Sequence, residues 1–383
     1  MIKMNRLAAM AGAVWLAGTA MANAETLRFA YGHPPGSYFD IGANVFAETV
    51  KENSGGALKV RTFPLSLLNL METSDGISSG LADIGALMTT LFPREYPHAN
   101  LAMETAMILL QEEDLSQEMQ GVLYGAAMTD FIINDCPECH REFAARNNVF
   151  TVGTASTPYS LNCTKPHVEL SDVKNARMRI SGSYWARWSQ AMEASPVTVS
   201  GNEMLEALSQ GLIDCVVLSV PDVYNFGMGD LVTDITTGVP GGIYVASLAQ
   251  VNRNTWAGLS LDKREALLRG AATAAAEISM KYENGLQELK EKSRNGEIKA
   301  RFHQAAPSLV EATRGFVDTD IDTLVGYYRE TFGVSNGEET VAAMRARVSE
   351  WRGHLDGVST AEELAQLYWD EILSDVDLAT YGQ

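Results

Sequence analysis

Two arginines one residue apart, in Arg177-Met178-Arg179-Ile180, are the groups in this sequence best suited to hold an acid. A guanidinium offers two parallel N–H donors to one carboxylate, a charge-assisted fork that the point charge of lysine does not reproduce. Out of water, truncating one partner of such a pair costs on the order of 2–5 kcal/mol. The alternation with Met178 and Ile180 reads as a strand, and its period of two places both arginines on one side. From the strand alone either could serve, and a solvated strand arginine is the bland alternative.

Three other constellations could do chemistry. Cys136-Pro137-Glu138-Cys139-His140 has the spacing of a c-type haem attachment site, which would make the chain an exported haem- or metal-binding redox protein. Haem needs an apolar envelope and a distal ligand, whereas Asn134, Asp135, Glu138, Arg141 and Glu142 surround the motif. Zinc shared with Cys163 is a further reading. A disulfide is preferred, because cysteines in an oxidising compartment usually pair. Cys136 or Cys139 joined to Cys163 would tie a loop to a neighbouring strand and leave Cys215 as a buried thiol, although spacing does not fix the connectivity. Gly76-Ile77-Ser78-Ser79-Gly80 fits the nucleophile-elbow pattern, but a helical run precedes the serine and a strand follows, the reverse of what the elbow requires. Gly227-Met228-Gly229 lacks the third glycine of a dinucleotide site, and no two histidines are spaced as metal ligands on one helix face. The expectation is binding without turnover and without a cofactor.

The elements that must position these residues follow from periodicity. Leu27 to Tyr31 alternates as a strand; Phe39, Ala43, Phe46 and Val50 mark one face of a helix from Tyr38 to Asn53, stopped by Ser54-Gly55-Gly56. Leu58 to Phe63 is a strand, Glu72 to Ser79 a short helix and Asp83 to Leu87 a buried strand, giving a β-α-β-α-β lobe. A second set predicts strands at Val149–Gly153, Ser160–Cys163, Arg177–Ile180 and Ile213–Leu218, with helices at Tyr184–Ala194 and Glu203–Gln210. From Leu261 onward helical patterns dominate, with one long run from Lys263 through Lys292 and another from Ser359 to Leu373. No linker or repeat separates these parts, so two lobes sharing crossing segments are expected. Residues 25–152 with about 235–265 form lobe I, 153–234 form lobe II, and 266–383 pack on both.

Lys3 and Arg6, an apolar stretch through Leu16, and Ala22-Asn23-Ala24 read as a signal peptide cleaved after Ala24, which predicts a periplasmic protein. Its apolar core is shorter than the roughly 20 residues of a membrane-spanning helix. Cleavage removes two cations and no acid, moving the formal net charge from −19 to −21. That field repels phosphate backbones, and no basic run with interleaved aromatics overrides it, so nucleic acid is excluded as a partner. A cleft can still take an anion, since the overall field is screened within about 8–10 Å.

Several stretches resemble the DctP-type substrate-binding component of tripartite ATP-independent periplasmic (TRAP) transporters. They are Leu27-Arg28-Phe29-Ala30, Ser54-Gly55-Gly56-Ala57-Leu58-Lys59-Val60, Ser79-Gly80-Leu81-Ala82-Asp83-Ile84-Gly85, and Val251-Asn252-Arg253-Asn254-Thr255-Trp256. The most specific block runs from Leu170-Ser171-Asp172-Val173-Lys174-Asn175-Ala176-Arg177-Met178-Arg179-Ile180 through Ala194-Ser195-Pro196 to Leu208-Ser209-Gln210-Gly211-Leu212-Ile213-Asp214. The resemblance covers roughly residues 27–300. It implies a two-lobed α/β solute-binding fold (type II-like) with a long connecting helix and extra C-terminal helices, a small carboxylate as ligand, and integral-membrane permease subunits as partners. The C-terminal helices leave a monomer or a homodimer open.

By the resemblance, Arg179 holds the ligand's carboxylate. Other pocket positions fall on Gly32 or His33, on Met88 and Thr89, on Tyr159, and on Ser219. Relatives that bind acidic sugars often carry an arginine where Tyr159 stands, an aromatic at Gly201 and an asparagine at Leu218 or Ser219. The missing charge implies a single carboxylate head, and Gly201 leaves room for Trp185, Tyr184 or Asn202. Core packing is the bland alternative for Tyr159, Trp185 and Met88.

Overall fold

The computed structural model describes residues 24–112, 115 and 118–383; residues 1–23 of the expected signal peptide lie outside them. No described helix is long and apolar enough to cross a membrane. Twelve strands form two sheets: β1 (Glu25–Tyr31), β2 (Leu58–Pro64), β3 (Ile84–Leu87), β4 (Asn148–Val149), β5 (Gly153–Ala155), β6 (Ser160–Cys163), β7 (Arg177–Ile180), β8 (Ser195–Thr198), β9 (Cys215–Leu218), β10 (Asp234–Pro240), β11 (Val245–Asn252) and β12 (Arg301–Gln304). The first sheet has the order β2-β1-β3-β11-β4, with β5 also on β11; the second has the order β12-β10-β6-β9-β7-β8. This is the mixed α/β architecture with a long helix that the sequence implied.

The first helix, Tyr38–Asn53, shows how periodicity becomes structure. Phe39, Ala43, Phe46 and Val50 are buried, and the Ser37 hydroxyl accepts from the Asp40 N–H at 3.3 Å to cap its start. At its end, the Gly56 N–H donates to the Lys51 carbonyl at 2.8 Å, closing the last turn. This helix packs on the long helix Leu261–Arg294, whose 34 residues reach about 51 Å at 1.5 Å each. The long helix also touches β5, β11 and β12, and so ties the two sheets together.

The chain crosses between sheets after Ala155 and returns after Pro240. The crossings lie side by side. Ser156 N–H donates to the Tyr244 carbonyl at 2.9 Å, Tyr159 N–H to Gly242 at 2.9 Å, and Gly241 N–H back to Tyr159 at 3.2 Å. Gly242 has φ of +77°, and a Cβ there would overlap the Tyr184 hydroxyl at 1.4 Å, so only glycine fits this crossing.

Two disulfides form, with partners other than those expected. Cys163 faces Cys215 across the β6–β9 ladder and bonds to it, so Cys215 is not a free thiol. Cys136 and Cys139, at the cap and first turn of the helix Pro137–Ala145, bond to each other. Ladder register and the helical turn bring these sulfurs together, and neither is visible in cysteine spacing alone. Both sulfurs of the Cys-x-x-Cys-His motif are thus consumed and buried, and the His140 ring meets the Ile133 carbonyl at 3.0 Å and the edge of Tyr381. The haem or metal reading of Cys136, Cys139 and His140 falls on that geometry.

Beyond Gln304, helices Pro307–Phe332, Gly337–His354 and Ala361–Tyr368 wrap back over the body. The final residues are held by the Arg264 guanidinium donating to Leu378 O at 2.7 Å and the Trp256 indole to Tyr381 O at 2.8 Å.

Candidate ligand-binding site

A cavity lies between the sheets, beside the two crossings, with walls from both. Arg179 enters it from β7. The first strand residue, Arg177, is exposed and makes a bidentate pair with Asp214 at 3.0 and 2.7 Å, whereas Arg179 is 4% exposed. Arg179 donates through Nε to the Val199 carbonyl at 2.9 Å; its Nη1 is buried without a partner, and no carboxylate lies within 4.0 Å among the described residues. Burial pushes this guanidinium below its ordinary pKa, partly offset by Tyr159, Tyr244 and Asp222 nearby. A buried cation with an idle donor costs free energy until an anion arrives.

Tyr159 and Tyr244, one on each crossing, line the cavity with Arg179, their rings near-parallel and their centroids 6.3 Å apart. Trp185 stacks on Tyr159 at 4.5 Å, and its indole N–H donates to the Gly241 carbonyl at 3.1 Å. It supports the wall from behind and does not line it. On the facing side His33 stacks on Phe39, ring centroids 3.9 Å apart. Complete burial pushes the His33 imidazole down to about 3, so it is neutral at pH 7, with Nδ1 unpartnered. Met88 lines the cavity; Thr89 is buried beside it without lining it.

Ser219 also stands back: fully buried, it hydrogen-bonds the Thr157 hydroxyl at 3.0 Å. Asn202, next to the lining residue Gly201, does not itself line the cavity; its amide donates to the Gly32 carbonyl at 2.9 Å and joins the two sides of the cleft. The room beside Gly201 is taken by Leu70 and Phe226, not by Trp185, Tyr184 or Asn202. A Cβ at Gly201 would meet Leu70 at 2.9 Å and Phe226 at 3.6 Å. Leu70 comes from one side of the cleft and Phe226 from the other, a long-range meeting that local pattern does not reveal.

Sequence reading missed Asp222, Tyr244, Tyr282 and Phe226 on the wall. Asp222 lies in the first turn of Val220–Asn225, where an acid reads as an ordinary helix-dipole partner. It is buried, accepts from the Tyr282 hydroxyl at 2.6 Å and the Asn225 amide at 3.0 Å, and is raised to about 6 by burial. The usable signal was its place three residues after Ser219. Ser78 ends the helix Thr73–Ser78, so its surroundings are not those of a nucleophile elbow. Among the described residues one group has metal-holding spacing, Cys163, His167 and Cys215, and its sulfurs are bonded to each other.

The architecture, two mixed sheets joined by two crossings and a long helix around a cleft, matches known proteins. A family model of the bacterial extracellular solute-binding proteins, family 7, matches residues 29–308. The chain belongs to this family. As a solute-binding protein of family 7 it is a receptor and not an enzyme. Solved structures share its fold. An extracytoplasmic solute receptor of Bordetella pertussis binding pyroglutamic acid is 21% identical with a TM-score of 0.68, covering 84% of this chain and 100% of its own. A TRAP periplasmic solute-binding protein of Bordetella bronchiseptica, with bound (R)- and (S)-mandelate, is 19% identical with a TM-score of 0.68, covering 85% and 99%. A marine metagenome TRAP protein specific for aromatic acids, with 3-hydroxybenzoate, is 15% identical with a TM-score of 0.72, covering 86% and 99%. The helices after Gln304 lie almost wholly beyond the residues that the family model matches.

Proposed function

We propose that this solute-binding protein captures a small carboxylate between its two sheets and delivers it to the membrane permease of a TRAP transporter, after export and cleavage behind Ala24. One observation carries the ligand class: a buried guanidinium on β7, Arg179, with an unpartnered donor and no carboxylate within 4.0 Å among the described residues. The fold neighbours bind pyroglutamic acid, mandelate and 3-hydroxybenzoate, each a carboxylate, which supports the same class. Arg179 holds the acid; Tyr159, Met88 and His33 shape the space; Trp185, Thr89 and Ser219 brace that wall, and Asn202 ties the two sides of the cleft together.

Lobe I is the first sheet with its helices and lobe II the second, hinged at the paired crossings. Ligand contacts from both lobes exist only when the cleft is shut, so binding draws the population toward that form by the difference in affinity between states. The deciding experiment is a panel of organic acids tested by thermal shift on wild-type protein and on Arg179→Ala. The expected result is a rise in Tm for some acids, lost in the variant while its ligand-free Tm stays near wild type. An undiminished rise in Arg179→Ala overturns the assignment of Arg179, and no rise with any acid overturns the ligand class.

A further inference from the structure

We infer that the ligand carries, besides its carboxylate, an O–H or N–H donor that meets Asp222, so that the cavity selects donor-bearing acids over analogues without one. This rests on Arg179 as the carboxylate anchor. Two opposite charges line one cavity, Arg179 from β7 and Asp222 from Val220–Asn225, and both are cut off from solvent at 4% and 7% exposure. They do not meet: no ion pair within 4.0 Å joins them. Each keeps bonding capacity in reserve. Arg179 Nη1 has no acceptor. Asp222 accepts both of its side-chain hydrogen bonds, from Tyr282 and Asn225, at Oδ1, while Oδ2 has no donor among the described residues.

An ionised carboxyl accepts on the order of four hydrogen bonds and donates none. A ligand that brought only anionic or carbonyl oxygens to Asp222 would set acceptor against acceptor in a low-dielectric space, where that is most costly. A donor placed there satisfies Oδ2 just as the carboxylate satisfies Nη1, and the ligand then bridges charges that the protein holds apart. The other polar side chains on the wall, neutral His33 and the hydroxyls of Ser156, Ser181 and Tyr244 among them, carry no negative charge at pH 7, so Asp222 is the strongest acceptor there. Phe39, Phe226 and Tyr244 supply flat faces between the two ends, which suits a ring or a short compact carbon frame.

Matched pairs of acids test this by isothermal titration calorimetry: pyroglutamate against the γ-lactone acid with oxygen in place of the ring N–H, mandelate against phenylacetate, and 3-hydroxybenzoate against benzoate. In wild-type protein the donor-bearing member of at least one pair binds roughly ten- to a hundredfold tighter, the scale of a hydrogen bond to a charged group. In Asp222→Asn that ratio falls to about one or inverts, since the amide oxygen is held by Tyr282 and Asn225 and the NH2 faces the ligand. Equal affinities within every pair, or a preference that survives in Asp222→Asn, overturns the inference. Where those acids still bind and still require Arg179, the carboxylate reading stands without it. Binding of none of the six sinks that reading and this one together. Should Asp222→Asn fail to fold, the wild-type ratios decide alone.

Discussion

Two arginines only eight residues apart, Arg179 on β7 and Arg187 on the helix that follows it, show opposite uses of charge away from water. Arg187, on the helix Ser183–Ala191, makes a bidentate pair with Asp320 at 2.6 and 2.8 Å and also donates to the Ser183 hydroxyl at 3.0 Å. Glu104 completes that cluster by accepting from the Ser183 N–H at 2.8 Å and from its hydroxyl, which caps the helix. The acids around Arg187 hold it above its ordinary pKa despite burial, whereas burial pushes Arg179 below, because Asp222 nearby makes no ion pair with it and only partly offsets the shift. A satisfied cluster fixes one arrangement of helices. A cation left unsatisfied at a cleft costs free energy that a bound anion would offset.

The comparison breaks first at Arg187. Arg187→Ala strands Asp320, itself 6% exposed, and is expected to destabilise the protein by about 3–5 kcal/mol in urea unfolding monitored by circular dichroism. Arg179→Met, which breaks no ion pair within 4.0 Å and leaves Asp222 its hydrogen bonds from Tyr282 and Asn225, is expected to change ligand-free stability by no more than about 1 kcal/mol. Equal losses at both sites would show that Arg179 is a structural ion like its neighbour.

A smaller effect comes from pH, and two groups in the cavity oppose each other. His33 is buried neutral with its pKa lowered to about 3, so below pH 6.5 the unfolded chain binds a proton that the folded one refuses, and stability falls. Asp222 has its pKa raised to about 6, so between pH 6 and 4 the folded chain binds the proton first, and stability rises. Each slope is limited to about 1.4 kcal/mol per pH unit. His33→Gln should therefore lose less stability than wild type between pH 6.5 and 4.5, and Asp222→Asn more, read from urea midpoints at the two pH values. The opposite ranking would refute the buried, neutral imidazole.

Smallest of all is Arg177. Its pair with Asp214 is 45% and 27% exposed, and such surface pairs contribute about 0–1 kcal/mol. Arg177→Ala should leave both the urea midpoint and the acid-dependent Tm rise near wild type, and loss of the rise would move the anchor from Arg179 to Arg177.

Much of this was legible in the chain because it is local. Helix Tyr38–Asn53, strands β1, β2, β6 and β7 and the long helix follow from residues a few positions apart, where side-chain period and glycine stops act directly. The strand around Arg179 was likewise readable, since alternation and the surrounding motif are contiguous. Strands β10, β11 and β12 were not, because what makes them strands is a partner far along the chain; Asp234 pairs with Cys163 and with Arg301. Val149–Gly153 looked like one strand and is two, β4 and β5, both paired to β11.

Sequence alone therefore determined the α/β alternation and the solute-binding family, since each is written in residue type and short spacing. Tertiary structure decided which charges stay unpaired, which sulfurs join, and that Asp222 and Tyr282, 60 positions apart, meet at one wall. The physical reason is that desolvation and hydrogen-bond satisfaction depend on neighbours in space, and those neighbours are chosen only when the two sheets and the long helix pack.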